Sequence, residues 1–247
     1  MKGVYIVGTG RSGTHFSVRL MNGFKHARDS LEGKENSEVL RDIAMAAIHH
    51  RLPSKSTERY YLDAFSDGEG VLLDQHHPNL FFVKHWTDIL GDVVFLYPQR
   101  PTYQVVASML RHRGVMGWYK YARKLRQRTI NRIPYPNRFL GVEKSSDIEQ
   151  LPNHLLCAHR VIAHRMAFHS TLCNANGALR QLNYEALVEN PISEFERVFS
   201  TDEMAQLGPF TLTEEPKKAS LAKYHDVLSD EQVSEIVTLE ERSCLMS

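Results

Sequence analysis

The sequence predicts an α/β fold: a single three-layer α/β/α domain with a central parallel sheet, spanning residues 1–247. Two observations carry this expectation. Short apolar runs recur at Val4–Val7, Val71–Leu73, Val93–Tyr97 and Leu179–Leu182, and stretches of helical periodicity lie between them. The first run leads directly into a glycine-rich turn, Val7-Gly8-Thr9-Gly10-Arg11-Ser12-Gly13-Thr14, and then into an amphipathic stretch from about Ser12. A buried strand, a glycine turn and a helix start, in that order, open a parallel crossover unit.

The helices follow from their apolar spacing. The first carries Phe16, Leu20, Met21 and Phe24 on one face. The second, Glu38 to His50, gathers Val39, Ile43, Ala46 and Ala47. Pro101 to Arg111 reads as a helix following the third run, with Pro101 at its start. A long helix is expected from about Pro152 to Cys173, and another over Ser229–Glu240, with Ser229 as N-cap and Glu231 soon after. Residues 131–150, with Pro134, Pro136 and Gly141, read as a loop. The basic middle section, 112–150, is expected to form a lid or insertion.

Bulk composition is that of an ordinary soluble domain: 42% hydrophobic, 24% charged and a net charge of +1. Global charge therefore points to neither a nucleic acid nor a membrane as partner. Three cysteines (Cys157, Cys173, Cys244) cannot all pair within one chain, and none has metal-ligand or redox-motif spacing. The N-terminal apolar run is too short for a signal peptide or a membrane span. The expected setting is soluble, reducing and cytoplasmic. Charge is uneven along the chain, because no acidic residue falls between Asp92 and Glu143 while Lys and Arg recur from Arg100 to Arg138. A solvated basic helix face accounts for such a run, and an anionic ligand or acceptor is the functional alternative.

The glycine turn has the makings of an anion cradle, since glycines bend the backbone tightly and the first helical N–H groups face the ligand. A phosphate-binding P-loop needs Lys directly after its second glycine, and here that position holds Thr14. The cation comes three residues earlier, as Arg11. A second segment, Val93-Val94-Phe95-Leu96-Tyr97-Pro98-Gln99-Arg100, ends a strand with a guanidinium where open α/β sheets bind ligands. Ser108 follows two helical turns later, so guanidinium and hydroxyl can grip one phosphate together.

These segments resemble the sulfotransferases that use 3′-phosphoadenosine-5′-phosphosulfate (PAPS). Arg11-Ser12-Gly13-Thr14 matches that family's 5′-phosphosulfate loop, and Arg100 with Ser108 matches its 3′-phosphate motif, R-x7-S. Leu179-Arg180-Gln181-Leu182-Asn183-Tyr184-Glu185-Ala186-Leu187-Val188-Glu189-Asn190-Pro191 looks like its RYEDLVEDP stretch. Lys217-Lys218-Ala219, through Tyr224 to Leu228-Ser229, is similar to the C-terminal segment that closes over the nucleotide. The pattern is closest to the tyrosylprotein and bacterial branches, and it covers most of the chain outside 45–70 and 112–150. His15, where a second Thr is common, and Ala219, where a glycine is common, depart from it.

The resemblance implies PAPS as co-substrate, adenosine 3′,5′-bisphosphate as product and no metal. Gly10, Arg11, Ser12, Gly13, Thr14 and His15 would hold the phosphosulfate, Arg100 and Ser108 the 3′-phosphate, and Tyr184, Lys217 and Lys218 further parts of the nucleotide. Arg11 would stabilise the leaving phosphate. Glu32, twenty-one residues after Arg11, is the first candidate for the base that deprotonates the acceptor. Glu35, His77 and His85 stand behind it, His85 lying in a Lys84-His85-Trp86 context one position off the cytosolic members' motif. The acceptor would be a small molecule, a glycan or a peptide; its identity and the oligomeric state stay open. Thirteen histidines do not make a metal site: His154, His159, His164 and His169 recur every five residues and spiral around a helix. Two rivals remain, a P-loop kinase and a non-catalytic nucleotide-binding homologue.

Overall fold

In the computed structural model, which describes residues 1–29, 36–66, 69–125, 130–213, 215–216 and 222–245, five strands form one sheet. They are β1 (Gly3–Ile6), β2 (Ala27–Asp29), β3 (Val71–Asp74), β4 (Val93–Gln99) and β5 (Leu179–Asn183). The order is β2-β3-β1-β4-β5 and every pairing is parallel, with Tyr5 opposite Asp74 on one side and Phe95 on the other. This is an α/β fold with a central parallel sheet flanked by helices. The four apolar runs read from the sequence are β1, β3, β4 and β5. The edge strand β2 escaped that reading because its three residues, Ala-Arg-Asp, carry no apolar run.

The chain folds as two compact units. The first comprises Met1–Ala46, Leu52–Gln99 and Phe168–Lys218 and contains the whole sheet. Strand alternation sorts its core into two layers. Val4, Ile6, Leu73, Leu96 and Leu182 pack with Val18 and Met21 of α1 (Thr14–Met21). The same layer takes in Leu187, Phe195 and Leu207 from three later helices, Tyr184–Glu189, Pro191–Val198 and Thr201–Leu207. On the opposite face, Tyr5 stacks on Phe95 at 5.0 Å and meets Tyr61, which in turn lies 4.7 Å from Trp86. Tyr61 belongs to α3 (Lys55–Ser66) and Trp86 to α4 (Val83–Leu90), with α2 (Ser37–Ile48) preceding them.

The second unit comprises Ala47–Arg51, Arg100–Ala167 and Ala219–Ser247. It holds α5 (Thr102–Leu110), α6 (Arg113–Lys124), α7 (Ser145–Gln150), most of α8 (Asn153–Leu172) and, after the three helices already given (α9 to α11), α12 (Asp230–Leu245). Its basic residues are partly structural. Arg123 donates to the carbonyls of Ile148 and Leu151 and to Asn153 Oδ1 at 2.8–2.9 Å, fastening α6 to the α7–α8 link. His164, fully buried on α8, donates through Nε2 to the Phe139 carbonyl at 2.9 Å. Burial pushes the Cys157 thiol up to about 12, which keeps it protonated and inert.

Two boundaries correct the sequence reading. Residues 131–150 are not all loop, because α7 starts at Ser145 where Asp147 accepts the Glu143 and Lys144 N–H groups. Pro134, Pro136 and Gly141 outweighed that short start signal. The last helix runs on to Leu245, and its capping box closes through Gln232, whose N–H reaches Ser229 Oγ at 3.2 Å, and not through Glu231. Among the described residues, no helix is long and apolar enough to cross a membrane.

On the sheet's edge, Arg180 of β5 makes a bidentate pair with Glu203 of α11 at 2.7 and 2.8 Å. The Arg180 hydrogen bond, with help from the Ser200 N–H, holds the Glu203 carboxyl down to about 2 from its ordinary 4.5. A depressed carboxyl stabilises the fold fully above its unfolded-state value, and that contribution fades as pH falls toward 2. Arg180→Met should therefore lower stability at pH 7 by about 1–3 kcal/mol. It should also flatten the wild-type loss between pH 4.5 and 2, which urea midpoints across that range will measure.

Candidate functional site

β1 is buried along its whole length, so only its carboxyl end can present chemistry to a ligand. There the chain turns within seven residues, Val7 to Gly13, into α1. Gly8 and Gly13 adopt φ of 139° and 111°, which glycine alone takes without strain, and Arg11 sits at φ 80°. A non-glycine residue held in this region marks a loop over-determined by its surroundings. The turn closes through Ser12 N–H to the Thr9 carbonyl at 3.0 Å.

Three aromatic rings wall the loop. A Cβ at Gly13 would meet the Tyr184 ring at 2.4 Å, one at Gly10 would meet His77 Nε2 at 3.1 Å, and one at Gly8 would meet Tyr97 at 3.2 Å. The glycines are therefore where backbone and ring approach closely. Gly8 N–H donates to the His77 carbonyl at 2.9 Å. Thr9 Oγ1 and Ser12 Oγ are buried with no hydrogen-bond partner among the described residues, and Gly13 gives α1 no side-chain cap. Unsatisfied hydroxyls and uncapped N–H groups around one turn are what an anion would satisfy. Arg11 and His15 are exposed at the loop and on the first turn of α1, whereas Thr14 is buried.

The sheet's topology marks the same spot. After β1 the chain packs on one face through α1; after β3 it passes through a 3-10 turn, His77–Phe82, to α4 on the other face. Such a divergence between neighbouring strands opens a crevice at their carboxyl ends, where α/β sheets bind ligands. A cavity of about 550 Å³ between Lys25, Arg28, Glu69 and Gln206 lies at the amino ends of the strands instead. It has none of these features.

Other sequence-derived candidates fall as follows. Arg100 directly follows β4 and its Nε donates to Gln104 Oε1 at 2.8 Å, while its carbonyl accepts from Arg165 Nη2 at 3.0 Å. Arg165 is itself ion-paired with Glu240 of α12. Ser108 is half-buried on α5. Tyr224 meets Tyr103 of that helix edge-to-face with centroids 4.6 Å apart. His85 lies on α4, 3.3 Å from Glu58 of α3 and against Trp86. Glu32, Glu35, Lys217 and Lys218 lie outside the described residues.

Sequence reasoning missed a buried polar network beside the loop. Asp74 Oδ1 lies 2.8 Å from His76 Nδ1, and Asp74 Oδ2 accepts the His76 N–H and the Tyr61 hydroxyl. Asn79 Nδ2 donates to Tyr61 at 2.9 Å, and Trp86 Nε1 donates to Asn79 Oδ1 at 2.8 Å. All five side chains are at most 1% exposed. The signal was available: Asp74, Gln75, His76 and His77 interrupt an otherwise apolar stretch straight after a strand.

Against known proteins, no family model matches the chain, and no curated sequence does. Solved structures do. The crystal structure of a sulfotransferase from Alicyclobacillus acidocaldarius aligns over 98% of this chain and 92% of its own, at TM-score 0.52 and 13% identity. The sulfotransferase domain from the curacin biosynthetic pathway aligns over 97% of each chain, at TM-score 0.50 and 12% identity. At such identity the likeness is one of fold.

Gly13→Ala tests the loop's steric constraint. It should destabilise the protein by about 1–3 kcal/mol, combining a strained φ with the Tyr184 clash. Repeating it in a Tyr184→Ala background should relieve only the second part, as a double-mutant cycle of urea midpoints will read.

Proposed function

We propose that this protein transfers a sulfonate group from PAPS to a hydroxyl or amine on an acceptor that is a small molecule, a glycan or a peptide. The observation that carries the reading is the loop: an anion cradle at the carboxyl end of the central strand, with Arg11 in it and Thr14 where a P-loop would need Lys. The fold shared with two sulfotransferase structures supports it. The residues fit a phosphosulfate, because the Thr9 and Ser12 hydroxyls, which have no hydrogen-bond partner among the described residues, and the uncapped start of α1 are donors in want of an acceptor. A kinase would also need a cation after Gly13, which the sequence lacks.

Bound PAPS supplies the sulfonate and, as its leaving group, a 5′-phosphate on which negative charge builds. Arg11 and the N–H groups of Ser12, Gly13 and Thr14 hold that phosphate and stabilise its charge before the reaction begins. A guanidinium keeps its proton at any working pH, so Arg11 acts by charge and hydrogen bonding. Gly10 gives the backbone room, His15 flanks the cradle, and Tyr184 walls it over Gly13. Arg100 and Ser108 take the 3′-phosphate, and Lys217 and Lys218 add charge to the nucleotide. Glu32 removes the acceptor's proton.

One observation favours a second reading of the base. His77 is half-buried with its ring against Gly10, next to the loop. His85 is turned to Glu58 instead.

Calorimetric titration separates the readings. Adenosine 3′,5′-bisphosphate should bind tightly and ATP with magnesium weakly; the reverse order would sink the sulfotransferase reading. Arg100→Ala should weaken bisphosphate binding by about tenfold or more, since it removes a charge-assisted contact.

Glu32→Gln should leave bisphosphate binding unchanged and lower turnover by about 10²-fold or more. If turnover survives Glu32→Gln and is lost in His77→Ala, the base is His77.

A further inference from the structure

The buried network around His76 has a direction that its own chemistry fixes. An indole N–H can only donate, so Asn79 must turn its Oδ1 to Trp86 and its Nδ2 to Tyr61. The Tyr61 hydroxyl, having accepted from Asn79, donates a hydrogen bond to Asp74 Oδ2, 3.2 Å away. Burial, with the neighbouring Asp74 charge, pushes the Tyr61 phenol well above its ordinary value, so it stays a neutral donor. At the other end, His76 Nε2 lies 3.3 Å from the backbone carbonyl of Asn36, which can only accept. His76 Nδ1 faces the Asp74 carboxylate at 2.8 Å. The Tyr61 oxygen is also 2.9 Å from Nδ1, but a proton given there would leave the Asp74 carboxylate against a ring lone pair. Both ring nitrogens therefore face acceptors, and a neutral imidazole would turn a lone pair on one of them.

We infer that His76 is a doubly protonated imidazolium paired with Asp74, and that this buried ion pair is a positioning device for the glycine loop. Among the described residues, the titratable groups against the ring are Asp74 on its own segment and the Tyr60 and Tyr61 rings of α3, at 6.3 and 6.1 Å between centroids. Only Asp74 among them is charged. Being 0% exposed, the ring cannot serve as the acceptor's base, and its second proton is held by Asn36. What the pair does is clamp a turn. Asp74 Oδ2 holds the His76 N–H, the Asn79 N–H closes on the His76 carbonyl at 3.0 Å, and the Asn79 side chain is locked by Tyr61 and Trp86. Between those fixed points stands His77, whose carbonyl takes Gly8 N–H and whose ring abuts Gly10. Loosening the pair should loosen the loop.

The charge can be read directly on the full-length protein labelled with 15N and 13C histidine. The His76 ring should keep both nitrogens protonated at about pH 7.5, where solvent histidines, with an ordinary pKa near 6.5, have lost one proton. A singly protonated ring would overturn the inference. The clamp is tested by Asp74→Asn, expected to strip the second proton from the ring and to weaken adenosine 3′,5′-bisphosphate binding about tenfold. Should that variant not fold, Trp86→Phe removes a single donor while keeping an aromatic ring, and should weaken binding several-fold. Unchanged affinity in whichever variant folds would overturn the positioning role. This functional arm rests on the sulfotransferase reading and the ring titration does not. Failure of the wild type to bind the bisphosphate would count against that reading, while the imidazolium would stand or fall on its own spectrum.

Discussion

The hydrogen bond from Gly8 to the His77 carbonyl joins the two strand ends on which the candidate site depends. β1 and β3 are neighbours in the sheet, yet the chain leaves them toward opposite faces. Together with the Val7 N–H on the Leu96 carbonyl at 2.9 Å, the Gly8 bond ties the start of the seven-residue turn after β1 to both neighbouring strands. The tie needs glycine at position 8, because φ there is 139° and Tyr97 already fills the space a side chain would take. Gly13 answers the same need at the helix start, where Tyr184 closes on it. The loop is thus shaped as much by rings packed against it as by its own sequence.

That dependence explains why polar groups are buried where apolar ones would be less demanding. Replacing a buried ion pair with well-packed hydrophobic residues is often neutral or stabilising, so the Asp74–His76 pair is weak evidence for stability as such. The network built on it reaches four separate segments: the residue before α2, α3, the turn after β3, and α4. A directional network fixes where those segments stand in a way that interchangeable apolar contacts would not. Burying the charges specifies the turn and, through it, the position of His77.

Much of the sheet was legible in the sequence because β1, β3 and β4 are short, mostly apolar and buried on both faces. Val93 to Tyr97 could hardly be read otherwise. β2 was invisible because an edge strand of three residues has no period to detect, and α7 because nearby prolines mask a six-residue helix. Of the site, Gly10 to Thr14 could be picked out since glycine spacing and chain order imply a cradle. The role of Gly8 and Gly13 as partners of Tyr97 and Tyr184 could not, for those contacts join residues far apart in sequence. The polar run Asp74 to His77 was readable, but its partners were not, since Tyr61 and Trp86 look like ordinary core aromatics until the fold aims their polar atoms at Asn79.

The basic stretch shows how a charge run divides once folded. Along the sequence, Arg100 to Arg138 is a uniform excess of positive charge. In the structure Arg123 is occupied by two carbonyls and an amide, whereas Arg113, Lys120 and Lys124 stay on partly or fully exposed positions of α6. Arg165, farther along, pairs with Glu240 and donates to the carbonyl of Arg100, so it supports the residue proposed for the 3′-phosphate through that residue's backbone. Guanidinium suits this supporting role because its fixed fork can satisfy several oxygens at once. Local charge density in the sequence therefore overstates the charge left for an acceptor. Among the described residues, the part that stays exposed includes Arg113, Lys120 and Lys124 on α6 together with Arg132 and Arg138 beyond it, and any preference for anionic acceptors has to be sought there.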